Sequence, residues 1–192
     1  MKRILFVCTG NTCRSPMAEA LLRRMAQERG VRVEVRSAGV SASQGVPISR
    51  QAEAVLRDQN ISDRITSSPL DRELVEWADL ILTLTESHKS HVIRCFPEAV
   101  ERTHTLKGYV EDDPRVLADL EELDSLLASA QLSRALGESP DTSQQQRVIE
   151  LQQRIPVFDI SDPFGGSRDD YEITAAEIRT ALDRLLGKLE RG

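Results

Sequence analysis

The sequence predicts an α/β fold in three layers, with a four-stranded parallel sheet and helices on both of its faces. Residues 4–7 form a continuous apolar run typical of a strand buried on both faces, and residues 80–84 form a second, similar run. Segments with helical periodicity follow them, as the crossovers of a parallel sheet require. At 192 residues the chain has room for one well-formed core, so we interpret residues 1–192 as a single domain.

Four short segments are predicted to form the sheet. Residues 3–7 give the first strand, and residues 31–35 alternate apolar and polar side chains as an edge strand does. Residues 80–84 predict the next strand, and residues 102–106 predict a last, weaker one. Ligands of such sheets bind at the carboxyl ends of the strands, which directs attention to the loops that follow them.

Helical periodicity predicts the connecting segments. Five helices are expected, over residues 16–29, 48–59, 71–77, 86–96 and 171–190. The last of them is amphipathic and closes the domain. Its apolar stripe consists of Ile173, Ile178, Leu182, Leu185, Leu186 and Leu189.

The segment at about residues 111–157 departs from this alternation and predicts a helical insertion. One amphipathic helix, a turn or linker over residues 138–143 and a second helix over residues 144–154 are expected there. A solvated decoration, a lid and an interaction surface remain alternative roles for it. The apolar positions of the first helix are Val116, Leu117, Leu120, Leu123, Leu127 and Ala130.

The loop between the first strand and the first helix carries the most specific motif. Cys8 and Arg14 stand six positions apart, at the exit of the strand and the entrance of the helix. A loop of this length can curl into a cup whose backbone N–H groups point inward, and the helix N-terminus adds partial positive charge. Arg14 can then bind two phosphoryl oxygens with its planar guanidinium. Cys8, at the bottom of the cup, would be a nucleophile directed at phosphorus.

The remaining residues of this loop fit the same interpretation. Ser15 is a candidate N-cap of the first helix, and Pro16 suits a first helical turn. Glycine allows close approach or a positive φ within the cup. Backbone N–H donors are expected from Thr9, Gly10, Asn11, Thr12 and Cys13.

Several segments resemble one family. The loop over residues 7–16 (VCTGNTCRSP) resembles the phosphate-binding loop of the low-molecular-weight protein tyrosine phosphatases. Residues 36–40 (RSAGV), 67–70 (SSPL) and 78–82 (ADLIL) resemble further segments of that family, and residues 162–167 (DPFGGS) resemble its general-acid loop. The resemblance covers about the first 110 residues and about the last 30 of the chain, and fails between them.

The resemblance implies a flavodoxin-like three-layer sandwich in which residues 1–192 form a single phosphatase domain with the helical insertion. It also implies that Asn11 and Ser15 brace the loop or donate hydrogen bonds to the Cys8 thiolate. Asp162 would be the general acid, and would then activate the water that hydrolyses phosphocysteine. Nearby Asp159, Asp169 and Asp170 are competing acids, but only Asp162 has the family context.

Thr12 and the run Phe164-Gly165-Gly166 are most similar to the bacterial protein arginine phosphatases of this family. Phe164 is expected to form one wall of the pocket. Family members that act on phosphotyrosine tend to carry a second aromatic residue after the first, whereas Gly165 leaves that side open. A flat guanidinium could be held there by Phe164 and the Asp162 carboxylate. We therefore expect phosphoarginine in proteins as the substrate, with phosphotyrosine as the alternative.

An arsenate reductase and a phosphoprotein-binding module are two alternatives to a phosphatase. Arsenate reductases use a similar loop but relay oxidation through further cysteines, and only Cys95 stands downstream of the loop. A phosphoprotein-binding module without catalysis would be expected to lack the nucleophile or the acid.

Cys13 lies within loop distance of Cys8 and could trap an oxidised Cys8 as a reversible disulfide.

The remaining composition restricts partners and cofactors. The formal net charge of −6 argues against nucleic acid and anionic membranes as partners. No cofactor is required by the mechanism, and no metal site is expected. His88 and His91 are assigned to a solvated helix face because no matching ligand set lies near them. Three cysteines make no disulfide scaffold, so a reducing cytoplasm is the expected location. The expected partners are phosphorylated proteins, and the sequence leaves the oligomeric state open.

Overall fold

The computed structural model describes residues 1–139 and 141–191. Its sheet contains four parallel strands, β1 (Lys2–Cys8), β2 (Val33–Gly39), β3 (Leu80–Thr83) and β4 (Thr103–Thr105). They lie in the order β2-β1-β3-β4, so β1 is central and β2 is at an edge. The predicted α/β fold with a four-stranded parallel sheet is confirmed.

Helices connect the strands and close the domain. A 3-10 helix, Pro97–Arg102, precedes β4, and a four-residue helix, Leu106–Tyr109, directly follows β4; neither helix was expected from the sequence. The α-helices are α1 (Arg14–Arg29), α2 (Arg50–Asp58), α3 (Arg72–Trp77), α4 (Glu86–Cys95), α5 (Leu106–Tyr109), α6 (Pro114–Ala135), α7 (Thr142–Arg154) and α8 (Arg168–Arg191).

Successive residues of β1 face opposite sides of the sheet, and both sides are covered. Ile4 and Phe6 belong to the larger apolar cluster, which includes side chains of α1 and α8. Leu5 and Val7 belong to a second cluster with Val75 and Val92. The side chains of these four residues are fully buried. This explains why residues 4–7 are uniformly apolar, as a central parallel strand requires.

Three predicted boundaries were wrong in ways that affect the site. β2 begins later than expected and extends to Gly39, because Ser37, Ala38 and Gly39 continue the pairing with the end of β1. α1 begins at Arg14, so Cys13 occupies the cap position and Ser15 lies within the first turn. Ser15 is therefore not an N-cap, and its hydroxyl is free for another partner.

Helix α8 begins at Arg168, three residues earlier than expected. Most of its predicted apolar stripe is buried, but Ile173 is 58% exposed, so that assignment was wrong. Tyr171 and Thr174, which lie at helical spacing from the buried Ile178, are buried instead. The buried stripe therefore starts on residues that apolarity alone does not identify.

The described residues divide into two compact units, Met1–Val110 with the chain from Phe158 onward, and Glu111–Val157. The second unit consists of α6 and α7. Pro140, which belongs to the predicted linker, lies outside the described residues. Two ion pairs join the helices, Arg147 Nε to Glu122 Oε1 at 2.6 Å and Arg154 Nη2 to Asp119 Oδ1 at 3.0 Å.

The predicted apolar face of α6 is not a buried core. None of the 22 residues of α6, all within the described part of the chain, is buried. Leu117 and Leu127 are exposed, while Leu151 of α7 is fully buried. Amphipathic spacing therefore predicts correctly that this helix forms, but it does not determine whether the apolar face is buried.

Candidate active site

Cys8 is the last residue of β1, at the carboxyl edge of the central strand. The residue is 3% exposed. Two groups contact its sulfur: the backbone N–H of Asn11 donates to Sγ at 3.3 Å, and Ser15 Oγ lies 2.8 Å from Sγ. The loop after the strand therefore curls back, so that its own donors surround the sulfur.

Asn11 organises this loop from its centre. Its backbone adopts φ = +54°, a left-handed conformation that asparagine tolerates better than most residues, and its side chain is fully buried. The carboxamide Nδ2 donates to Ser15 Oγ at 2.8 Å and to Ser37 Oγ at 2.9 Å, and Oδ1 accepts from the N–H of Ser68 at 2.8 Å. Because Ser15 Oγ accepts from Asn11, its own hydrogen is available for Cys8 Sγ.

The hydrogen-bond network continues away from the sulfur. The hydroxyl of Ser37 donates to the carboxylate of Glu19, which also pairs with Arg23. Burial raises the pKa of Glu19, against the opposing effects of the Ser37 hydrogen bond and the Arg23 charge. Every side chain between Cys8 and Glu19 in this network is buried, so polar contacts inside the protein hold the loop in place.

Gly39, at the end of β2, allows the loop to approach the sheet. A Cβ atom there would lie 2.4 Å from the carbonyl oxygen of Thr9 and 2.9 Å from the backbone nitrogen of Asn11. Any larger residue would therefore displace backbone atoms of the loop itself. Gly39 lies in the segment 36–40 that resembles the family, but the residue types of that segment predict no role for it.

Arg14 begins α1, and its side chain turns into the site. Its side chain is 7% exposed, with Nη2 3.3 Å from Asp162 Oδ2 and Nη1 donating to the carbonyl of Ile160 at 3.4 Å. The Asp162 side chain is 55% exposed. The arginine is thus buried behind a carboxyl group that remains open to solvent.

The acid loop is fixed at three points before Asp162. Ile160 N–H donates to the carbonyl of Leu84 at 2.8 Å, directly after β3. Asp159 Oδ1 accepts from the N–H of Glu86, the first residue of α4, and the N–H of Ser161 donates to Glu177 of α8. These bonds hold Asp162 at the same edge of the sheet as Cys8.

One cavity of about 250 Å³ brings most of the predicted site residues together. Asn11 and Ser15 lie behind its wall and act on the sulfur. Of the four candidate acids, only Asp162 lines the cavity. The lining residues are Cys8, Thr9, Gly10, Thr12, Cys13, Arg14, Asp162 and Phe164.

The outer wall is formed by Phe164, which is 79% exposed. Gly165 follows with φ = +74°, and a Cβ atom there would meet nothing within 4 Å. A Cβ at Gly166, by contrast, would lie 2.6 Å from Asp170 Oδ2. The two positions therefore favour glycine for different reasons. Gly165 has a positive φ and borders open space, whereas Gly166 is closely packed.

The three cysteines, all within the described residues, carry free thiols. Cys13 is buried, and its Sγ lies 3.1 Å from the hydroxyl of Tyr171 on α8. Burial raises the pKa of this tyrosine. Cys95 is exposed at the end of α4. A disulfide between Cys8 and Cys13 stays a prediction.

His88 was assigned to a solvated helix face, and this was wrong. Its residue is 4% exposed, and Nε2 lies 2.8 Å from Thr9 Oγ1 in the loop. Burial first, and then the positive charge of Arg14, lowers the pKa of His88 from its usual 6.5 to about 4, although Asp159 and Asp162 oppose the shift. The signal for its burial was the spacing of four residues to Val92, the other buried residue of α4.

Two further observations concern metal sites and membrane-spanning helices. Among the described residues, no group of three or more histidine, cysteine, aspartate and glutamate side chains is arranged to hold a metal ion. Of the helices in the described ranges, none combines the length and the apolar composition needed to cross a bilayer.

Cysteine-dependent phosphatases share the combination seen here, in which a thiol, a guanidinium and a carboxyl group meet at the carboxyl edge of a parallel sheet. The chain belongs to the family described as low molecular weight phosphotyrosine protein phosphatase, whose model matches residues 3–124. The predicted enzyme class, a low-molecular-weight protein phosphatase, is confirmed by this match.

Relatives extend the match over the rest of the chain. The protein-arginine-phosphatase of Geobacillus stearothermophilus is 37% identical over 188 residues, which cover 98% of this chain and 96% of that protein. The structure of the arginine phosphatase YwlE from the same organism matches with a TM-score of 0.72 at 37% identity, covering 100% of this chain and 94% of that one.

A second YwlE structure is a cysteine-to-serine mutant whose active-site serine is phosphorylated. It matches with a TM-score of 0.72 at 34% identity, covering 98% of this chain and 95% of that one. In that relative, the position of the nucleophile therefore accepts a phosphoryl group.

Proposed function

We propose that this chain is a protein-arginine phosphatase that works through a phosphocysteine intermediate. One observation carries the proposal: a buried Cys8 Sγ, contacted by Asn11 N–H and Ser15 Oγ, lines the same cavity as Arg14 and Asp162. The sulfur supplies a nucleophile, the guanidinium a binding group for phosphoryl oxygens, and the carboxyl a proton. No fourth reactive group is needed for either step.

In the first step, the Cys8 thiolate attacks phosphorus, and an S–P bond forms as the P–N bond of phosphoarginine breaks. Arg14 and the backbone N–H groups of the loop hold the phosphoryl oxygens as charge redistributes among them. Asp162, as a carboxylic acid, gives its proton to the departing guanidine nitrogen, so that arginine leaves in a protonated form.

In the second step, Asp162 is a carboxylate and takes a proton from water. The oxygen of that water attacks phosphorus, the S–P bond breaks, and phosphate and the Cys8 thiolate are released. The hydroxyl of Ser15 and the N–H of Asn11 receive the returning negative charge at 2.8 Å and 3.3 Å from Sγ. The acid of the first step is therefore the base of the second.

Phosphoarginine is favoured over phosphotyrosine by the outer part of the cavity. Phe164 is a single aromatic wall, and the space beside Gly165 is open where a phenol ring would need a second wall. A guanidinium can stack on Phe164 while its N–H groups reach the Asp162 carboxylate. Two relatives, 37% and 35% identical over 98% of this chain, are named protein-arginine-phosphatase and support the same choice.

The direct test is phosphate release from three peptides of one sequence that carry phosphoarginine, phosphotyrosine or phosphoserine. We expect turnover to be fastest on the phosphoarginine peptide, with Cys8→Ser protein as the blank. Faster turnover on the phosphotyrosine peptide would replace the proposal with the tyrosine alternative. Release from none of the three would overturn it altogether.

Thr12 allows a sharper test of the specificity. It lines the cavity, and its hydroxyl can serve a guanidinium or the attacking water. Thr12→Ile keeps the β-branch, removes the hydroxyl and adds apolar surface. We expect the ratio of phosphoarginine to phosphotyrosine activity to fall about tenfold, because an unmet polar contact costs about 1–3 kcal/mol and about 1.4 kcal/mol is a factor of ten. Measuring both activities on one preparation cancels any loss of folding, and an unchanged ratio would contradict a role for Thr12.

The remaining attributes follow from this activity. Phosphorylated proteins are the proposed partners, and a reducing cytoplasm is the proposed location, because Cys8 must stay a thiol to react. The proposed organisation is one phosphatase domain over residues 1–192 with a helical insertion at about 111–157. The compact unit formed by Glu111–Val157 supports that division.

A further inference from the structure

His88 stands behind the cavity rather than in it. It lies in the first turns of α4, and its Nε2 contacts Thr9 Oγ1 at 2.8 Å. Its other ring nitrogen, Nδ1, is buried and has no hydrogen-bond partner among the described residues. These two observations together constrain where the imidazole carries its proton.

A neutral imidazole has one donor nitrogen and one acceptor nitrogen, and hydrogen-bond partners decide which is which. A proton on Nδ1 of His88 would be a buried donor without an acceptor. In folded proteins such orphaned N–H groups are rarer than buried acceptors with a spare lone pair. The surroundings of His88 therefore favour the proton on Nε2, with Thr9 Oγ1 as its acceptor.

The consequence falls on Thr9. Because its oxygen accepts from Nε2–H, its own hydroxyl hydrogen must point to another acceptor. Thr9 is exposed and lines the cavity together with Cys8 and Arg14. We propose that His88 is a positioning residue that, as the Nε2–H tautomer, directs the Thr9 hydroxyl as a donor to the phosphoryl group. This inference rests on the proposed function only for the identity of that ligand.

The charge state of His88 is consistent with this role. Its lowered pKa, about 4, leaves the imidazole neutral at pH 7, so that it has a single proton to place. A second positive charge behind the loop would be repelled by the charge of Arg14. His91, three residues further along α4, contacts Arg94 and Cys95 instead of the loop, and so offers a matched control.

The first experiment reads the tautomer directly in the wild-type protein by ¹⁵N NMR of labelled histidine at pH 7. The signal of His88 is identified by its disappearance in His88→Gln. We expect a protonated Nε2 and an unprotonated Nδ1, with and without inorganic phosphate. A protonated Nδ1 would overturn the proposal. This measurement needs no turnover, so its result does not depend on whether the proposed function holds.

The second experiment measures the Kd of inorganic phosphate by calorimetry. Thr9→Val should raise it about tenfold, the size of one hydrogen bond, and His88→Phe should raise it similarly. The double variant should bind no more weakly than Thr9→Val alone, because His88 acts through that hydroxyl. His88→Gln, which keeps a donor, should recover part of the loss, and His91→Gln should change nothing.

Three results would contradict the proposal: additive losses in the double variant, an unchanged Kd for Thr9→Val, or an equal loss in His91→Gln. A variant that unfolds is identified by circular dichroism and set aside, and the tautomer measurement on wild-type protein then decides alone. If phosphate binds as expected but no peptide is hydrolysed, the positioning role stands and the proposed function fails.

Discussion

In the loop from Cys8 to Ser15, the polar residues Asn11, Arg14 and Ser15 are buried, whereas in α6 none of the 22 residues, all of them described, is buried. Asn11 and Ser15 are fully buried and take part in one continuous network. The helices of segment 111–157 are joined by exposed or half-exposed ion pairs such as Arg147–Glu122. Buried polar groups must be satisfied by specific partners, while surface pairs add little. Substitutions should therefore have large effects in the loop and small ones in the segment.

The largest effect is expected at the nucleophile itself. Cys8→Ser should abolish turnover on every substrate, because a serine hydroxyl in this cup is a far weaker nucleophile than a thiolate. Binding of vanadate should remain detectable, since Arg14 and the loop N–H groups are unchanged. Steady-state assays and a vanadate titration check the two halves of this prediction. Near-normal activity in Cys8→Ser would refute the mechanism.

The next largest effect is expected at the acid. Asp162→Asn should slow turnover about 10²–10⁴-fold, the usual range for a general acid–base group. Asp169→Asn is the matched control, because Asp169 lies in the first turn of α8 and does not line the cavity. Values of kcat on a peptide substrate compare the two variants. Similar losses in both would mean that the site has been assigned to the wrong acid.

Oxidation tests a third property of the loop. Mild peroxide should inactivate the enzyme by oxidising Cys8, which then forms a disulfide with Cys13. Added thiol should reduce this disulfide and restore the activity. Cys13→Ser should make the loss harder to reverse, because Cys8 then proceeds to higher oxidation states. Activity recovered after thiol treatment and peptide mapping measure this. Absence of a Cys8–Cys13 disulfide after oxidation would rule the mechanism out, and Cys13 would then serve only its contact with Tyr171.

The smallest effect is expected in the helical segment 111–157. Comparing one variant there with one in the loop tests the contrast between the two regions directly. Asn11→Ala leaves Ser68 N–H and two serine hydroxyls without their partner, which should lower the free energy of unfolding by about 3 kcal/mol. Glu122→Gln removes one exposed ion pair and should leave the unfolding midpoint nearly unchanged. Urea denaturation of both variants provides the measurement. Comparable destabilisation in the two would contradict the contrast between the regions.

The sequence alone was sufficient for the four strands, the longer helices and the nucleophilic loop. Continuous apolar runs identify buried parallel strands, because such strands are covered on both faces. The spacing of Cys8 and Arg14 is local, so the loop that joins them follows directly from the chain. Family resemblance added Asp162, which local pattern alone would have assigned to a turn before proline.

Only the tertiary structure decided the contacts between residues distant in the chain. His88 is 79 positions from Thr9, and Tyr171 is 158 positions from Cys13, so no local pattern could pair them. Ser15 has the residue type of an N-cap, but the turn of the loop gives its hydroxyl to the Cys8 sulfur instead. Amphipathic spacing predicts that a helix forms, because spacing is a property of the segment. Whether its apolar face is buried depends on what packs against it, and α6 shows that periodicity does not contain that information.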